Sequence, residues 1–275
     1  MSYDLSDLQQ LKRYLHDSGL FAKKSLGQHF LVNSAVLDRI VQAADLRHSD
    51  HVLEVGPGPG VLSQRLASAC GRLTCLELDQ RMIAPWKRLM KKFPQAQILH
   101  QDALTYVPED QPYKLVANIP YFITSPLLKH FLREQGVRRP RALVFLIQKE
   151  VAERICSEKK PTLLSWEVRV YGKPRLICAV PPTSFYPPPQ VDSAVLMIEV
   201  LDQPLIEEQL ADDFFTLLSC AYHQPRKTLL NNFSVQFKKE DIQMVFDKLK
   251  IDPGLRPHQL ELEQWKRVFT SLRGF

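Results

Sequence analysis

Residues 118–121, Asn-Ile-Pro-Tyr, place an amide, a proline and an aromatic ring directly after an apolar run. The preceding Leu115, Val116 and Ala117 are typical of a buried strand, so the motif is expected at a strand's carboxyl end. An amide oxygen and a backbone carbonyl accept hydrogen bonds, and a ring stacks on flat groups. The set suits a flat base with an exocyclic amino group. Two acceptors would hold that nitrogen and stabilise the positive charge that develops on it during attack.

The same motif also has a simpler structural interpretation. Proline is common in the first turn of a helix and asparagine is a common cap, so Asn118 could cap a helix that begins at Pro120. Taken alone, the motif favours this simpler interpretation. A chemical role for Asn118 depends on whether the rest of the sequence can place a reactive group opposite it.

A glycine-rich turn at residues 56–60, GPGPG, follows an apolar strand pattern and precedes a helical one. Such a turn is typical of nucleotide-binding α/β folds, although many glycine turns are only structural. Pro57 and Pro59 have no N–H, so the loop lacks two donors that would hold a pyrophosphate. Its spacing also differs from the dinucleotide pattern G-x-G-x-x-G. The loop therefore favours a ligand with an ammonium group and no phosphate, such as S-adenosyl-L-methionine.

Two acids fall at the ends of the next two predicted strands. Glu77 is placed to accept hydrogen bonds from both ribose hydroxyls, and Asp102 to accept one from an adenine amino group. Each acid alone is more often a helix cap or a surface residue. Three successive strands that each end in a suitable group favour a ligand site at the carboxyl edge of the sheet, where open α/β sheets bind.

The elements that position these residues alternate between strand and helix. Strands are predicted at residues 51–55, 72–78, 96–100, 113–118, 142–148, 175–180 and 193–200, and helices at 61–69, 80–92 and 125–135. This alternation predicts an α/β fold, with a parallel sheet covered by helices on both faces and an antiparallel last pair of strands. Together with the site for S-adenosyl-L-methionine at its carboxyl edge, the sheet is expected to be that of a Rossmann-like methyltransferase.

After residue 202 only helical patterns remain. They cover residues 206–220, 225–233, 239–249 and 261–272. We therefore predict a methyltransferase domain at 1–202 and a small all-helical C-terminal domain at 203–275. Residues 1–20 are an N-terminal helical extension, with an amphipathic helix at 4–18 whose role the sequence leaves open.

Composition and charge limit the class of protein. The 275 residues are 45% hydrophobic and 24% charged, as in ordinary globular proteins, and no apolar run approaches the roughly 18 residues of a membrane span. No secretory signal is recognisable at the N-terminus. The five cysteines are odd in number and never spaced C-x-x-C, which predicts reduced thiols in a cytoplasmic protein without a metal site.

The net charge of +6 is unevenly distributed. All of the positive excess lies in residues 1–200, because residues 201–275 hold 10 Lys and Arg against 11 Asp and Glu. Within the first 200 residues, a basic face of one predicted helix comprises Lys87, Arg88, Lys91 and Lys92. Such a face is usually only solvated, and a nucleic-acid surface becomes attractive if other features require a polyanion.

Several ordered motifs make the chain resemble the small-subunit ribosomal RNA adenine dimethyltransferase family over roughly residues 22–270. They are KKSLGQHFL, EVGPGPGVLS, NIPYFITSP, QKEVAERI, FYPPPQVDSAV and PRKTLLNN. The resemblance implies transfer of four methyl groups from S-adenosyl-L-methionine to the N6 atoms of two adjacent adenosines near the RNA's 3′ end. It also implies an immature small ribosomal subunit as partner, no membrane, and a monomer.

The resemblance also implies roles for individual residues. Those expected to contact the methyl donor are His29, Leu31, Gly56, Gly58, Glu77, Asp102 and Asn118. The adenine is expected to be held by Asn118, Pro120 and Tyr121, with Phe185 as its second stacking face.

The chain departs from the family pattern in four places. His29 stands where the family usually has Asn, and Phe122 replaces a common polar residue after the catalytic tyrosine. Gln190 replaces a frequent Lys, and residues 157–166 lack the usual Tyr-Gly. The last two departures concern RNA contacts more than the chemistry.

Three other functions are compatible with parts of the sequence. A DNA adenine-N6 methyltransferase uses a similar amide-Pro-aromatic loop, but the helical tail and the proline-rich loop argue against it. A non-catalytic RNA-binding assembly factor of the same fold is disfavoured by the intact residues 118–121, Glu77 and Asp102. A nicotinamide oxidoreductase is disfavoured by Pro57 and Pro59.

Overall fold

A computed structural model describes residues 3–273, so residues 1–2 and 274–275, at the ends of the two predicted domains, lie outside the described residues. Its centre is a seven-stranded sheet. The strands of this sheet are β2 (His51–Val55), β3 (Arg72–Glu77), β4 (Ala96–His100), β5 (Lys114–Asn118), β6 (Ala142–Gln148), β7 (Gly172–Val180) and β9 (Ser193–Val200). Two short strands, β1 (Phe30–Leu31) and β8 (Phe185–Tyr186), pair with each other antiparallel, apart from the sheet.

The strand order in the large sheet is β4-β3-β2-β5-β6-β9-β7. Strands β2 to β6 run parallel, whereas β9 pairs antiparallel with both β6 and β7. From β4 to β2 the strands succeed one another against the direction of the sequence, and from β5 to β6 they follow it. The strand order therefore reverses between β2 and β5. Ligands of open α/β sheets bind at such a reversal, outside the carboxyl ends of the strands.

Eleven α-helices surround the sheet within residues 3–273. They are α1 (Leu8–Asp17), α2 (Ser34–Ala44), α3 (Val61–Ala69), α4 (Gln80–Leu89), α5 (Thr124–Lys129), α6 (Lys149–Cys156), α7 (Leu163–Tyr171), α8 (Glu208–Ala221), α9 (Leu229–Phe233), α10 (Lys239–Leu249) and α11 (Leu262–Leu272). None of them is long and apolar enough to cross a bilayer.

Successive side chains of the central strands point to opposite faces and are buried on both. Val116 belongs to a cluster with α1–α4, and its neighbour Leu115 belongs to a cluster with α5–α11. This is the period of two that a strand imposes. Both faces of the parallel strands are therefore covered by helices, as the sequence predicts.

The predicted strands and helices are confirmed, with shifted ends in a few places. Strand β7 begins at Gly172 rather than at residue 175, because it is an edge strand whose exposed residues interrupt the apolar pattern. The predicted helix at 80–92 ends at Leu89 and continues as a 3₁₀ turn, Met90–Lys92. The sequence does not single out α6 and α7, which span only eight and nine residues.

The division at residue 202 into two domains stays a prediction. All secondary structure from residue 203 to Arg273 is helical. Yet one continuous cluster of buried side chains contains Phe145 of β6 together with Phe214 of α8 and Trp265 of α11. The C-terminal helices thus pack against the α5–α7 side of the sheet.

A buried amide fixes the loop between α8 and α9. The Oδ1 of Asn232 accepts from the N–H of Gln224 at 3.0 Å, and its Nδ2 donates to the carbonyls of Gln224, Thr228 and Lys227 at 3.1, 3.2 and 3.4 Å. Asn232 is 2% exposed, so water cannot replace these bonds.

We expect Asn232→Ala to lower the free energy of unfolding by about 2–4 kcal/mol, because several buried backbone groups lose their partner. Urea denaturation measures this. The control is Asn231→Ala, since that side chain is exposed and forms no hydrogen bond with another described residue. Equal stability of the two variants would contradict the structural role of Asn232.

Candidate active site

A cavity of about 300 Å³ opens at the carboxyl ends of the parallel strands. This is the lower end of the range for small-molecule sites, roughly 300–1,000 Å³. It brings together nine of the ten residues singled out from the sequence: His29, Leu31, Gly56, Gly58, Glu77, Asp102, Asn118, Pro120 and Tyr121. The tenth, Phe185, does not line it.

The glycine turn uses all three of its glycine N–H groups internally. Gly56 donates to a β3 carbonyl at 2.9 Å, Gly58 to Oε2 of Glu77 at 3.0 Å, and Gly60 to the Pro57 carbonyl at 3.0 Å. With two prolines between them, the glycines leave no N–H for a phosphate, which supports the interpretation of the loop made from its sequence. A Cβ at Gly60, where φ is 95°, would lie 2.8 Å from a Leu89 methyl, so this position requires glycine.

The carboxylate of Glu77 is buried and holds two segments of backbone. Its Oε2 accepts from Gly58, and its Oε1 accepts from the N–H of Asp79 at 2.7 Å. Burial raises its pKa, although these backbone hydrogen bonds act in the opposite direction. A carboxylate offers about four acceptor positions, so two remain for ligand hydroxyl groups.

A second buried carboxylate, Glu54 of β2, also lines the cavity and was missed from the sequence. Its Oε2 accepts from the Ser63 hydroxyl at 2.6 Å and from the Cys75 thiol at 3.2 Å, and Trp86 donates to the same hydroxyl at 2.9 Å. Burial raises the pKa of Glu54 to about 7. The available signal was a single acid inside the apolar strand HVLEV, a position where a charge is costly.

The side chain of Asn118 is anchored by its amino group. Its Nδ2 donates to the carbonyl of His29 at 2.9 Å, and no described residue donates to its Oδ1. It caps no helix, because the 3₁₀ turn at Tyr121–Ile123 begins without a side-chain cap. The helix-cap interpretation is therefore wrong, and the amide presents an acceptor that a ligand can use.

The two backbone carbonyls of the motif that could accept a hydrogen bond from a ligand differ in whether they already accept one. The Pro120 carbonyl already accepts from the N–H of Ile123 at 3.1 Å. The Ile119 carbonyl accepts no loop hydrogen bond among the described residues. Ile119 therefore offers the better acceptor for a ligand amino group, and Pro120 chiefly shapes the turn.

Tyr121 and His29 form a pair of nearly parallel rings in the cavity wall. Their centroids are 6.2 Å apart and their planes differ by 16°. The Tyr121 hydroxyl pairs with the Ser193 hydroxyl at 2.6 Å, and Nδ1 of His29 pairs with the Pro187 carbonyl at 2.7 Å. Each ring is thus held at its rim by a hydrogen bond, with its face available for stacking.

Phe185 occupies a different position from the one expected of a stacking face. It is 4% exposed, pairs with Leu31 across the β1–β8 ribbon, and packs in the cluster on the α1–α4 side. A stacking role for Phe185 stays a prediction. The exposed aromatic ring at the cavity is Phe122, which is 65% exposed.

The remaining predicted features are placed as follows. Asp102 is exposed at the cavity, and its Oδ1 accepts from the N–H of Leu104 at 2.9 Å, so one oxygen is left for a ligand. The basic face of α4 is exposed, with Met82 and Trp86 buried on the opposite side. Within residues 3–273, no group of three or more His, Cys, Asp or Glu is arranged to hold a metal ion.

The sheet order, the donor-poor glycine turn and the acceptors at the ends of β3 and β5 define a Rossmann-like methyltransferase. A family model described as ribosomal RNA adenine dimethylase matches residues 19–273. The chain therefore belongs to the ribosomal RNA adenine dimethylase family. This membership confirms the resemblance and the enzyme class predicted from it, and it argues against the oxidoreductase and DNA methyltransferase alternatives.

Individual relatives agree with this membership. The chain is 38% identical to ribosomal RNA small subunit methyltransferase A of Dehalococcoides mccartyi strain CBDB1, over 97% of this chain and 94% of the relative. It is 39% identical to the protein of the same name from Synechococcus elongatus, over 91% and 95%. A solved dimethyladenosine transferase from Plasmodium falciparum matches with a TM-score of 0.77 and 26% identity, over 90% of this chain and 98% of that one.

The fold is shared more widely. The 23S rRNA methyltransferase ErmE matches with a TM-score of 0.72 at 24% identity, covering 89% of this chain and 99% of that one. This likeness confirms the predicted fold class.

The buried Glu54 predicts a pH dependence of stability. Its pKa rises from about 4.5 in the unfolded chain to about 7 in the folded protein, so the folded state binds the proton more tightly. The contribution of this group to the free energy of unfolding is fully present below about pH 4.5, and it is lost as the pH rises through about 7. Glu54→Gln should therefore gain stability relative to the parent protein between pH 4 and pH 8, by up to about 3 kcal/mol.

Urea denaturation at both pH values measures this gain. The control is Glu158→Gln, because Glu158 is exposed and forms no ion pair or hydrogen bond with a described residue. A relative stability of Glu54→Gln that does not change with pH would show that this carboxyl group is not perturbed.

Proposed function

We propose that this enzyme transfers methyl groups from S-adenosyl-L-methionine to the N6 atoms of two adjacent adenosines near the 3′ end of small-subunit ribosomal RNA. The observation that carries the proposal is the anchored amide of Asn118. Its free Oδ1 lies in one cavity with the Ile119 carbonyl and the Tyr121 ring. The sequence resemblance and the names of the relatives support the choice of RNA.

The cavity fits the proposed methyl donor. A Cβ at Gly56 would meet nothing within 4 Å, so the bare Cα there allows close approach of a ligand. The internal use of the Gly56 and Gly58 N–H groups suits a cofactor without phosphate. The buried Glu77 would accept the ribose hydroxyls, and the free oxygen of Asp102 the adenine amino group. Leu31 and the backbone of His29 would border the methionine end. S-adenosyl-L-methionine, when bound, supplies an electrophilic methyl group.

The residues of the motif act on the target nitrogen. The Oδ1 of Asn118 and the Ile119 carbonyl would each accept one N–H of the adenine amino group, which fixes the nitrogen and directs its lone pair. Both acceptors stabilise the positive charge that develops on N6, and they are already oriented before the reaction. The surplus proton leaves to solvent after transfer, so no strong base is needed.

The aromatic residues hold the base. Tyr121 would stack on the adenine, and its bond to Ser193 fixes the plane of the ring. His29, parallel to Tyr121 and tied to Pro187, offers a second ring at the same cavity. Phe185 is buried and does not line the cavity, so Tyr121 and His29 are the better candidates for stacking.

The proposal extends to the setting of the reaction. We propose a cytoplasmic monomer that acts on the immature small ribosomal subunit. Unpaired cysteines at all five positions support a reducing compartment. Sedimentation of the enzyme with and without the subunit tests the oligomeric state.

Glu77→Ala should weaken binding of S-adenosyl-L-methionine by about 1–3 kcal/mol, because the ribose hydroxyls lose a buried charged acceptor. Isothermal titration calorimetry measures the change. The control is Gln80→Ala, since the neighbouring Gln80 is exposed and does not line the cavity. Unchanged affinity in Glu77→Ala would remove Glu77 from the ribose site.

Asn118→Ala should lower the single-turnover rate by roughly 10²–10³, as expected for removal of one preorganised polar group. The assay combines labelled S-adenosyl-L-methionine with unmethylated small ribosomal subunits, and duplex DNA serves as the rival substrate. Mass spectrometry of the nucleosides should find dimethyladenosine in the RNA alone. A normal rate for Asn118→Ala, or labelling of the DNA, would contradict the proposal.

Tyr121 variants separate positioning of the base from chemistry in the same assay. Tyr121→Phe keeps the ring and loses only the bond to Ser193, whereas Tyr121→Ala also loses stacking of about 1–3 kcal/mol. Both variants should retain their affinity for bulk ribosomal RNA, because phosphate contacts dominate that affinity.

A further inference from the structure

A second cavity, of about 520 Å³, lies between α1, α3 and the end of α4. Tyr3, Tyr14 and Asp17 form its wall on the N-terminal side, and Arg88, Lys91 and Lys92 form the wall opposite. It shares no lining residue with the active-site cavity. The N-terminal helix, whose role the sequence leaves open, thus completes a pocket with the basic face of α4.

The charge of this second cavity favours an anion. Arg88, Lys91 and Lys92 are exposed and form no ion pair or hydrogen bond with any residue between 3 and 273. The acid in the lining, Asp17, is already engaged by the Tyr3 hydroxyl at 2.9 Å and by His16 at 3.2 Å. Three cations therefore face one carboxylate that has its own partners.

A buried hydroxyl group is a second observation, besides the charge, that favours a bound ligand. Tyr14 is 5% exposed and lines the cavity, and its hydroxyl, which lies near the Ser18 side chain, forms no hydrogen bond of ordinary geometry within residues 3–273. Burial raises the pKa of Tyr14 to about 12, so the group remains a donor at neutral pH. A buried donor without an acceptor is destabilising, and a bound acceptor would satisfy it.

The aromatic wall suits a nucleotide better than an isolated phosphate. The Tyr3 ring packs edge-on against Tyr14, with centroids 5.3 Å apart. The cavity volume lies within the range of small-molecule sites, roughly 300–1,000 Å³. A ligand with one flat apolar part and one anionic part matches the two walls.

We propose that this second cavity binds a ribonucleotide residue of the RNA substrate, outside the active site. Its phosphate lies against Arg88, Lys91 and Lys92, and a ribose or base oxygen accepts from Tyr14. The identification of the ligand as RNA rests on the proposed function, since a free nucleotide carries the same chemistry.

The test is fluorescence anisotropy with a labelled single-stranded RNA of roughly twelve nucleotides, a length within the footprint of such sites. The combined variant Arg88→Gln, Lys91→Gln, Lys92→Gln should bind about tenfold more weakly at low salt, and its salt slope should fall by about 2. The matched control is Lys87→Gln, an exposed charge on the same helix that does not line the cavity. Its salt slope and its affinity should stay close to those of the wild-type protein, because Lys87 does not line the cavity.

Tyr14→Phe separates a built site from a diffuse charge effect. It removes one uncharged donor, so affinity should fall about threefold to tenfold with an unchanged salt slope. Thermal unfolding confirms that the variant is folded. Wild-type affinity in folded Tyr14→Phe would overturn the proposal, as would a loss in Lys87→Gln equal to one third of the loss in the triple variant.

Adenosine 5′-monophosphate as a competitor distinguishes the two sources of the ligand. If it binds more tightly than the RNA and the triple variant loses this binding, the cavity is a free-nucleotide site and the assignment to RNA is wrong. The methylation assay is independent of this outcome. If the protein dimethylates RNA normally but every variant binds RNA as the wild-type protein does, only this inference is wrong. If the variants bind RNA as expected but the wild-type protein does not methylate RNA, only the proposed function is wrong.

Discussion

The burial of one carboxylate, Glu77, constrains much of the structure around it. A buried charge is tolerated only with hydrogen-bond partners, and Glu77 takes them from the backbone on both sides. The bond to Gly58 fixes the glycine turn after β2, and the bond to Asp79 fixes the residue that caps α4. One side chain thus sets both the shape of the proposed cofactor loop and the point at which α4 leaves the sheet.

The opposite wall depends on a second contact between distant segments. Asn118 at the end of β5 donates to the carbonyl of His29, and His29 in turn pairs with the carbonyl of Pro187. Residues from three separate regions of the chain therefore meet at His29. The β1–β8 ribbon holds two of these regions together, so the orientation of the Asn118 amide depends on packing far from the motif itself.

The sequence predicts the parts of this site that depend on residue type and period. Alternating apolar residues predict the strands. The two prolines of the turn predict a loop with few hydrogen-bond donors, and the structure removes further donors because the glycine N–H groups form internal hydrogen bonds. Partners distant in sequence were beyond such prediction. Nothing in the local pattern pairs Asn118 with His29, or shows that Phe185 is buried. The alternation of a strand predicts which of its faces is buried, but it does not predict that a buried acid such as Glu54 lines a cavity.

Helix α4 extends from the active-site cavity to the second cavity. Its first turn starts beside Glu77, and Leu89 near its end contacts Gly60 and lines the second cavity. From Asp79 to Lys92 the chain advances about 20 Å at about 1.5 Å per residue. A stacked strand with about 3.4 Å between nucleotides needs about six of them to cover that distance. One mononucleotide cannot cover that distance, so a single ligand that reaches both ends of α4 has to be an oligonucleotide.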